Sequence, residues 1–309
     1  MPDIQIAILG AGAMGSVYAA QFAEAPGCTT VLVAGGERHD RLAREGIVVN
    51  GKPYHLPVVD PDEVSDPADL ILVALKHHHL PGAVGDLRNL VGPETTILSV
   101  MNGLDSEEVL GAVHGMDKVL YTVAVGIDAV REGNRVTYTK PGKLYFGEAT
   151  NAPPGERVRR VGALLGRAGI AHETPPDMIR TLWWKFMINV GVNQASAVMR
   201  APYGAFQASP EAQALMETLM REVIILAEAE GVDLGEQDIR AWYGFMNGLS
   251  PEGKTSMLQD VEGGRKTEVE MFAGKVIELG TKHGIATPVN ETLLRIIHVL
   301  EEQAGSVTR

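Results

Sequence analysis

The chain contains a single cysteine, Cys28, in 309 residues. One thiol excludes an intramolecular disulfide and any Cys-rich zinc or iron–sulfur site, and it points to a reducing compartment. Positive charge is also scarce: 27 Lys and Arg stand against 39 Asp and Glu, a net charge of −12. Binding to a phosphate backbone needs clustered cations, so no nucleic-acid partner is expected, and an anionic membrane surface is disfavoured on the same ground. No segment approaches the roughly 20 apolar residues that span a bilayer. The start, MPDIQIAILG, has neither the basic opening nor the long apolar stretch of a signal peptide, so a cytoplasmic protein is expected. Glycine, in contrast, is abundant at 35 residues, against a usual ~7 %. The length suits two domains of about 150 residues each, and 45 % hydrophobic with 21 % charged residues describes a globular chain.

The first half alternates short apolar runs with helical stretches, the pattern of βαβ units in a doubly wound parallel sheet. Ile4–Leu9, Thr29–Val33, Leu70–Leu75, Ile97–Val100 and Val119–Val125 are the expected strands. Arg135–Tyr138 and Lys143–Phe146, joined through Pro141-Gly142, predict an antiparallel hairpin, and a helix follows over Glu156–Ala168. Past the stiff connector Glu173-Thr174-Pro175-Pro176 no strand is expected. Asp177 can cap a helix running to about Met199, with further helices at Pro210–Glu230, Gly235–Asn247, Lys254–His283 and Val289–Gln303. The reading is an α/β fold in two parts: residues 1–172 as a Rossmann-type dinucleotide-binding domain and 173–309 as an all-α domain.

Gly10-Ala11-Gly12-Ala13-Met14-Gly15 is a GxGxxG motif between the first strand and the first helix. The first glycine permits a tight turn, the second lets the backbone approach a pyrophosphate, and the third lets helix and strand pack closely. The helix start then offers free N–H groups and a partial positive charge to phosphates. Alone the motif is weak; its position after an aliphatic strand at the head of a βαβ unit makes it specific. About 20 residues on, where NAD enzymes place an acid, the chain reads Ala34-Gly35-Gly36, then Glu37 and Arg38. Arg38 can pair with a 2′-phosphate, which favours NADP(H), while Glu37 keeps NAD open and both residues also suit a solvated loop. Lys76 and Asn102 follow the carboxyl ends of two strands, the edge where such sheets bind ligands, although either also suits an ordinary loop. His77, His78 and His79 are consecutive and cannot converge on one ion from a regular element, so no metal site is expected.

Lys185, Asn189 and Asn193 recur every four residues on a helix that is otherwise apolar nearly all round. On an α-helix they lie about 80° apart in total, as one polar stripe. Such a helix is buried or lines a cleft, and burying three polar groups unpaired costs several kcal/mol. The stripe is therefore either a core hydrogen-bond network or a catalytic face opposite the nicotinamide across an interdomain cleft. In the second case a partly desolvated lysine has its pKa lowered toward working pH, as suits a general acid. Ser256 and Glu268 share a broad face at most on a regular helix. Gly263-Gly264 can bend it between them, Ser256 equally suits a cap and Glu268 a surface charge.

GAGAMG, Lys76, Met101-Asn102-Gly103, LWWKFMINVGVN (Leu182–Asn193), SMLQDVEGGRKTEVE (Ser256–Glu270) and HGIATP (His283–Pro288) together resemble the ketopantoate reductase family over nearly the whole chain. The resemblance implies a Rossmann domain followed by a helical domain like that of 6-phosphogluconate dehydrogenase. It also implies NADPH reduction of 2-dehydropantoate to (R)-pantoate for pantothenate and coenzyme A synthesis. Carried over by position, Lys185 is the general acid, and Asn189, Asn193 and Ser256 hold the substrate. Lys76, Asn102 and Glu268 contact the cofactor, with Asn102 close to the substrate too. Three positions depart from the family: Gly35 where Arg is common, and Tyr203 and Gly253 where Asn is usual. The first leaves the 2′-phosphate to Arg38; the other two open the door to a different small 2-keto acid. A redox-inactive NADP-binding regulator is the reading from another class, and homodimerisation through the apolar helical domain is an open option.

Overall fold

The computed structural model describes residues 3–63 and 66–307. Its strands are β1 (Ile4–Leu9), β2 (Cys28–Val33), β3 (Ile47–Val49), β4 (Lys52–Tyr54), β5 (Val58–Val59), β6 (Leu70–Val73), β7 (Thr96–Ser99), β8 (Val119–Ile127), β9 (Val130–Glu132), β10 (Arg135–Thr137), β11 (Pro141–Gly147) and β12 (His172–Glu173). Among them run α1 (Ala13–Glu24), α2 (Gly36–Glu45), α3 (Leu80–Ala83), α4 (Ser106–His114) and α5 (Glu156–Arg167). The chain divides into two compact units, the first ending at Leu182 and the second starting at Trp183.

The main sheet of the first unit has the order β12-β11-β8-β7-β6-β1-β2-β5. From β8 to β5 every pairing is parallel, and β11 runs antiparallel to β8. The chain leaves β1 toward β2 on one side and later returns to β6 on the other. The turn after β1 is thus a topological switch point, where open α/β sheets bind ligands. Period-two alternation divides β1 between two apolar layers. Ile6 and Ile8 join Val17 and Phe22 of α1 and Leu165 of α5, while Ala7 and Leu9 join Leu87 and Leu110 on the opposite face. On α5, Val158, Val161, Leu164 and Leu165 form one buried stripe, and each such side chain contributes roughly 1.5–3 kcal/mol when fully buried.

The expected hairpin between Arg135–Tyr138 and Lys143–Phe146 does not form. Arg135–Thr137 pairs antiparallel with β9 and parallel with β3, in a separate sheet of order β4-β3-β10-β9. The two-residue loop Gly133-Asn134, with Gly133 at φ +62°, makes the tight turn instead. β11 is drawn to β8, with Lys143 opposite Val125 and Phe146 opposite Thr122.

Among the described residues, the regular elements of the second unit are all helices. α6 (Met178–Ile188) crosses the division and is capped by Asp177, whose carboxylate accepts the Arg180 N–H at 2.8 Å. It winds on through a π-helical turn, 189–193, into α7 (Gln194–Met199), and Arg200 ends it in the left-handed region. Then come α8 (Tyr203–Ala208), α9 (Pro210–Ala229), α10 (Glu236–Met246), α11 (Ser256–Glu262), a second π-helical turn at 270–274, α12 (Lys275–His283) and α13 (Pro288–Val307). The single helix expected over Lys254–His283 is broken. Gly263 ends α11 and Gly264 adopts φ +61°. Glu301 then accepts both the backbone N–H and the hydroxyl of Thr267, at 2.8 and 2.6 Å.

Candidate active site

In the first unit the glycines divide their roles as the motif requires. Gly10 has φ +103°, and a Cβ there would lie 2.6 Å from the Ala74 carbonyl oxygen. A Cβ on Gly15 would lie 1.9 Å from the Gly10 oxygen, so α1 can pack on β1 only with glycine at that point. Gly12 differs: its Cβ would meet nothing of the protein closer than 3.8 Å. Nothing internal demands glycine there, and the space it leaves open faces a helix start with no side-chain cap and no acid in the first turn. An approaching pyrophosphate fits that cradle.

Beside the turn lies a cavity of about 360 Å³ lined by Gly10, Gly35, Gly36, Arg38, Asp60 and His79, among others. Glu37 and Arg38 are not in a loop; they occupy the first turn of α2, whose N-cap is Gly35. Arg38 is half-buried, and burial followed by the charge of Arg41 lowers its pKa. His79, on a one-turn 3-10 helix formed by the three histidines, is likewise lowered by burial, then by Arg38 and Lys76. Lys76 and Asn102 stand three residues past the ends of β6 and β7, both half-buried. The structure therefore brings Gly10 to Gly15, Arg38, Lys76 and Asn102 to one edge of the sheet.

In the second unit Asn189 and Asn193 are 3 % and 6 % exposed, but they lie in the π-helical turn. The i→i+5 winding makes the stripe's angles differ from those of a regular α-helix. Gly191 permits the turn to press against α9, since a Cβ would lie 2.6 Å from Met220 Cγ. Gln194 donates to the Val190 oxygen at 2.8 Å and to Asn290 at 2.9 Å, and Asn290 donates to the buried Glu222 at 2.7 Å. This network holds the turn from behind. Lys185, one turn earlier, is half-buried and makes no hydrogen bond or ion pair among the described residues. Burial alone lowers its amine to about 8.

α11 packs on α7 and on the first π-helical turn, and the second π-helical turn packs on the first. Thr255, not Ser256, caps α11 by accepting the Leu258 N–H at 3.1 Å. Ser256 is left exposed at the first helical position. Glu268 is half-buried in the bend before the second π-helical turn. Asn189, Asn193 and Ser256 thus lie on elements packed together, with Lys185 on the helix that runs into the first π-helical turn and Glu268 in the bend that leads to the second. The two departures at Tyr203 and Gly253 are in direct contact. The Tyr203 N–H donates to the Gly253 oxygen at 2.9 Å, and a Cβ at 253 would lie 3.1 Å from the Tyr203 ring. Absence of a side chain at 253 makes room for the tyrosine, whose phenol burial raises to about 12.

Two groups in the first unit were not legible in the sequence. Arg131 on β9 donates to the Ala11 oxygen inside the glycine turn, 120 positions away in the chain. Glu107, at the start of α4, is 1 % exposed and raised to about 7, chiefly by burial. It accepts from Ser106, which in turn accepts from Ser99 at the end of β7.

Comparison with known proteins agrees with this layout. The family described as ketopantoate reductase PanE/ApbA matches residues 6–151, and its C-terminal counterpart matches 177–301. A 2-dehydropantoate 2-reductase of Halobacterium salinarum is 29 % identical over 305 residues, 96 % of this chain and 99 % of that one. The crystal structure of 2-dehydropantoate 2-reductase from Geobacter metallireducens is 28 % identical with a TM-score of 0.84, covering 97 % of this chain and 100 % of that one. A D-mandelate dehydrogenase with NADH and anilino(oxo)acetate shares the fold at a TM-score of 0.88 and 22 % identity, covering 98 % and 100 %. The chain belongs to the ketopantoate reductase family.

Proposed function

We propose that this member of the ketopantoate reductase family is an NADP-dependent reductase of 2-dehydropantoate, forming (R)-pantoate on the way to pantothenate and coenzyme A. Residues 1–172 bind the cofactor and 173–309 carry the catalytic groups. The observation that carries the reading is Lys185, a half-buried helical lysine with no ion pair or hydrogen bond among the described residues and an amine lowered to about 8. Holding an amine largely out of water with no partner carries a desolvation cost that a purely structural role does not require. The nicotinamide supplies a hydride to the carbonyl carbon when bound. Lys185 donates its proton to the carbonyl oxygen, and at neutral pH it is mostly protonated and still readily gives the proton up. Asn189 and Asn193 hold hydroxyl and carboxylate groups of the substrate, with Ser256. Gly10, Ala11, Gly12, Ala13, Met14, Gly15 and Arg38 receive the cofactor's phosphates, and Lys76, Asn102 and Glu268 its nicotinamide half.

NADPH oxidation with 2-dehydropantoate and a panel of other 2-keto acids tests this. Turnover of 2-dehydropantoate should depend on one group near pH 8: kcat/KM is flat below that value and falls tenfold per pH unit above it. Absence of turnover on 2-dehydropantoate refutes the substrate assignment. A second reading, a different small 2-keto acid, is favoured by the Tyr203–Gly253 contact, which puts an aromatic ring where two amides are usual. Preference for phenylglyoxylate or a branched aliphatic 2-keto acid in the same panel would select it.

A further inference from the structure

Arg38 lines the cavity beside Gly10, and Arg131 donates to the Ala11 oxygen of the same glycine turn. The charges of Arg38 and Arg41 lower the pKa of Arg131 after burial does, and Arg41 lowers that of Arg38. Three cations of one sign are costly to gather in a chain with an excess of acids. Yet no carboxylate oxygen lies within ion-pair distance of any of the three among the described residues. Arg131 is held in place rather than free to move away. Its pairing opposite the buried Val136 directs it to the face of the small sheet that packs on α1. Its Nε donates to the Gly133 oxygen at 2.8 Å, and Nη1 donates to Ala11 within the glycine turn. Arg38 stands just beyond the end of β2, the position that reads the adenosine ribose in this fold. A fixed, unneutralised arginine cluster between the ribose position and the glycine turn is built for a multiply charged phosphate.

We propose that Arg131 acts with Arg38 and Arg41 to bind the 2′-phosphate of NADP, so that a strand outside the main sheet sets the cofactor preference. Gly35 leaves no cation at the position where the family commonly has one, and Arg131 supplies the charge from the other side. The inference rests on the dinucleotide reading of the glycine turn. Asp60, Asp62 and Asp86 line the same cavity as Arg38. Asp62 is already paired with Arg88, and Asp60 accepts the Asp62 N–H at 3.0 Å.

Calorimetric titration of the full chain with 2′,5′-ADP and with 5′-AMP separates the possibilities without turnover. In the unsubstituted protein 2′,5′-ADP should bind at least tenfold more tightly. Arg131→Gln should lose about tenfold or more for 2′,5′-ADP and less than twofold for 5′-AMP. Arg131→Lys should recover part of the loss, because it restores charge without the planar fork, and it serves as the folded control. Equal loss of both ligands would overturn the proposal and make Arg131 a support of the Ala11 turn. No loss of either would also overturn it, as would equal affinity of the unsubstituted protein for both. Failure of the unsubstituted protein to bind either nucleotide would instead overturn the dinucleotide reading.

Discussion

Lys185→Met exchanges a half-buried cation for a neutral chain of similar length and asks whether the lysine is kept at the expense of stability. Its amine is lowered from 10.5 to about 8 by burial. At 1.36 kcal/mol per pKa unit, that shift corresponds to about 3 kcal/mol, an upper figure because the residue keeps some exposure. The sign follows from proton counting. The folded pKa lies below the unfolded one, so between pH 8 and 10.5 the unfolded chain holds more protons, and stability rises with pH across that window. The destabilisation is complete below pH 8 and absent above 10.5. Met lacks it, so at pH 7 the variant should exceed the unsubstituted protein by up to about 3 kcal/mol, apart from a pH-independent difference in packing. That gap should close by about pH 10.5. Urea unfolding of both proteins at pH 7 and pH 10.5 measures it, since groups common to the two cancel in the difference. Reductase activity of the variant should meanwhile fall roughly 10²–10⁴-fold. A gap that is the same at both pH values would refute the reasoning, because it would mean that the amine is solvated or paired.

Two glycines of the GAGAMG turn should separate the proposed cofactor binding from folding. Gly12→Ala meets only ordinary contact at 3.8 Å and should unfold close to the unsubstituted protein while losing tenfold or more in NADPH affinity; Gly15→Ala, with a Cβ 1.9 Å from the Gly10 oxygen, should be destabilised by several kcal/mol. Thermal melts with and without NADPH distinguish them. Glu107→Gln removes a carboxyl raised to about 7 by burial. The folded pKa lies above the unfolded one, so stability from this group is full below about pH 4.5 and lost as pH rises through 7; the variant should gain on the unsubstituted protein between pH 5 and 8 in urea titrations. Tyr203→Asn and Gly253→Asn should be strongly non-additive in their effects on kcat/KM, because a side chain at 253 collides with the ring at 203. Additive effects across the four proteins would show that the two positions act separately.

Features fixed by neighbours in the chain were legible in the sequence, and those fixed by distant packing were not. The GAGAMG turn could be read because Gly10 and Gly15 answer to residues of the same strand–turn–helix unit or to the segment that follows the adjacent strand, so local order implies the geometry. The cap at Asp177 and the turn after β1 are of the same kind. Gly133-Asn134 carried a hairpin signal as strong as that of Pro141-Gly142. The pairing it makes was missed because β10 also binds β3, more than 80 residues earlier, and no local pattern announces such a partner.

The stripe proposed as catalytic shows the same limit in finer detail. Spacing by four puts Lys185, Asn189 and Asn193 on one stretch of helix, but it cannot tell a regular turn from a π-helical one. The choice is made by Gly191, which lets Met220 of α9 approach, and by the Gln194–Asn290–Glu222 network that fixes α7 behind the turn. Both contacts come from helices far along the chain. The two amides are buried in the π-helical turn, and Lys185, on the helix before it, has no partner among the described residues. In an uninterrupted α-helix the same residues would point in a different set of directions. Gly191→Ala is therefore the substitution that probes the site through its scaffold. By forcing α9 away it should lower kcat more than it lowers cofactor affinity, whereas equal losses of both would mean that the whole unit had been disturbed.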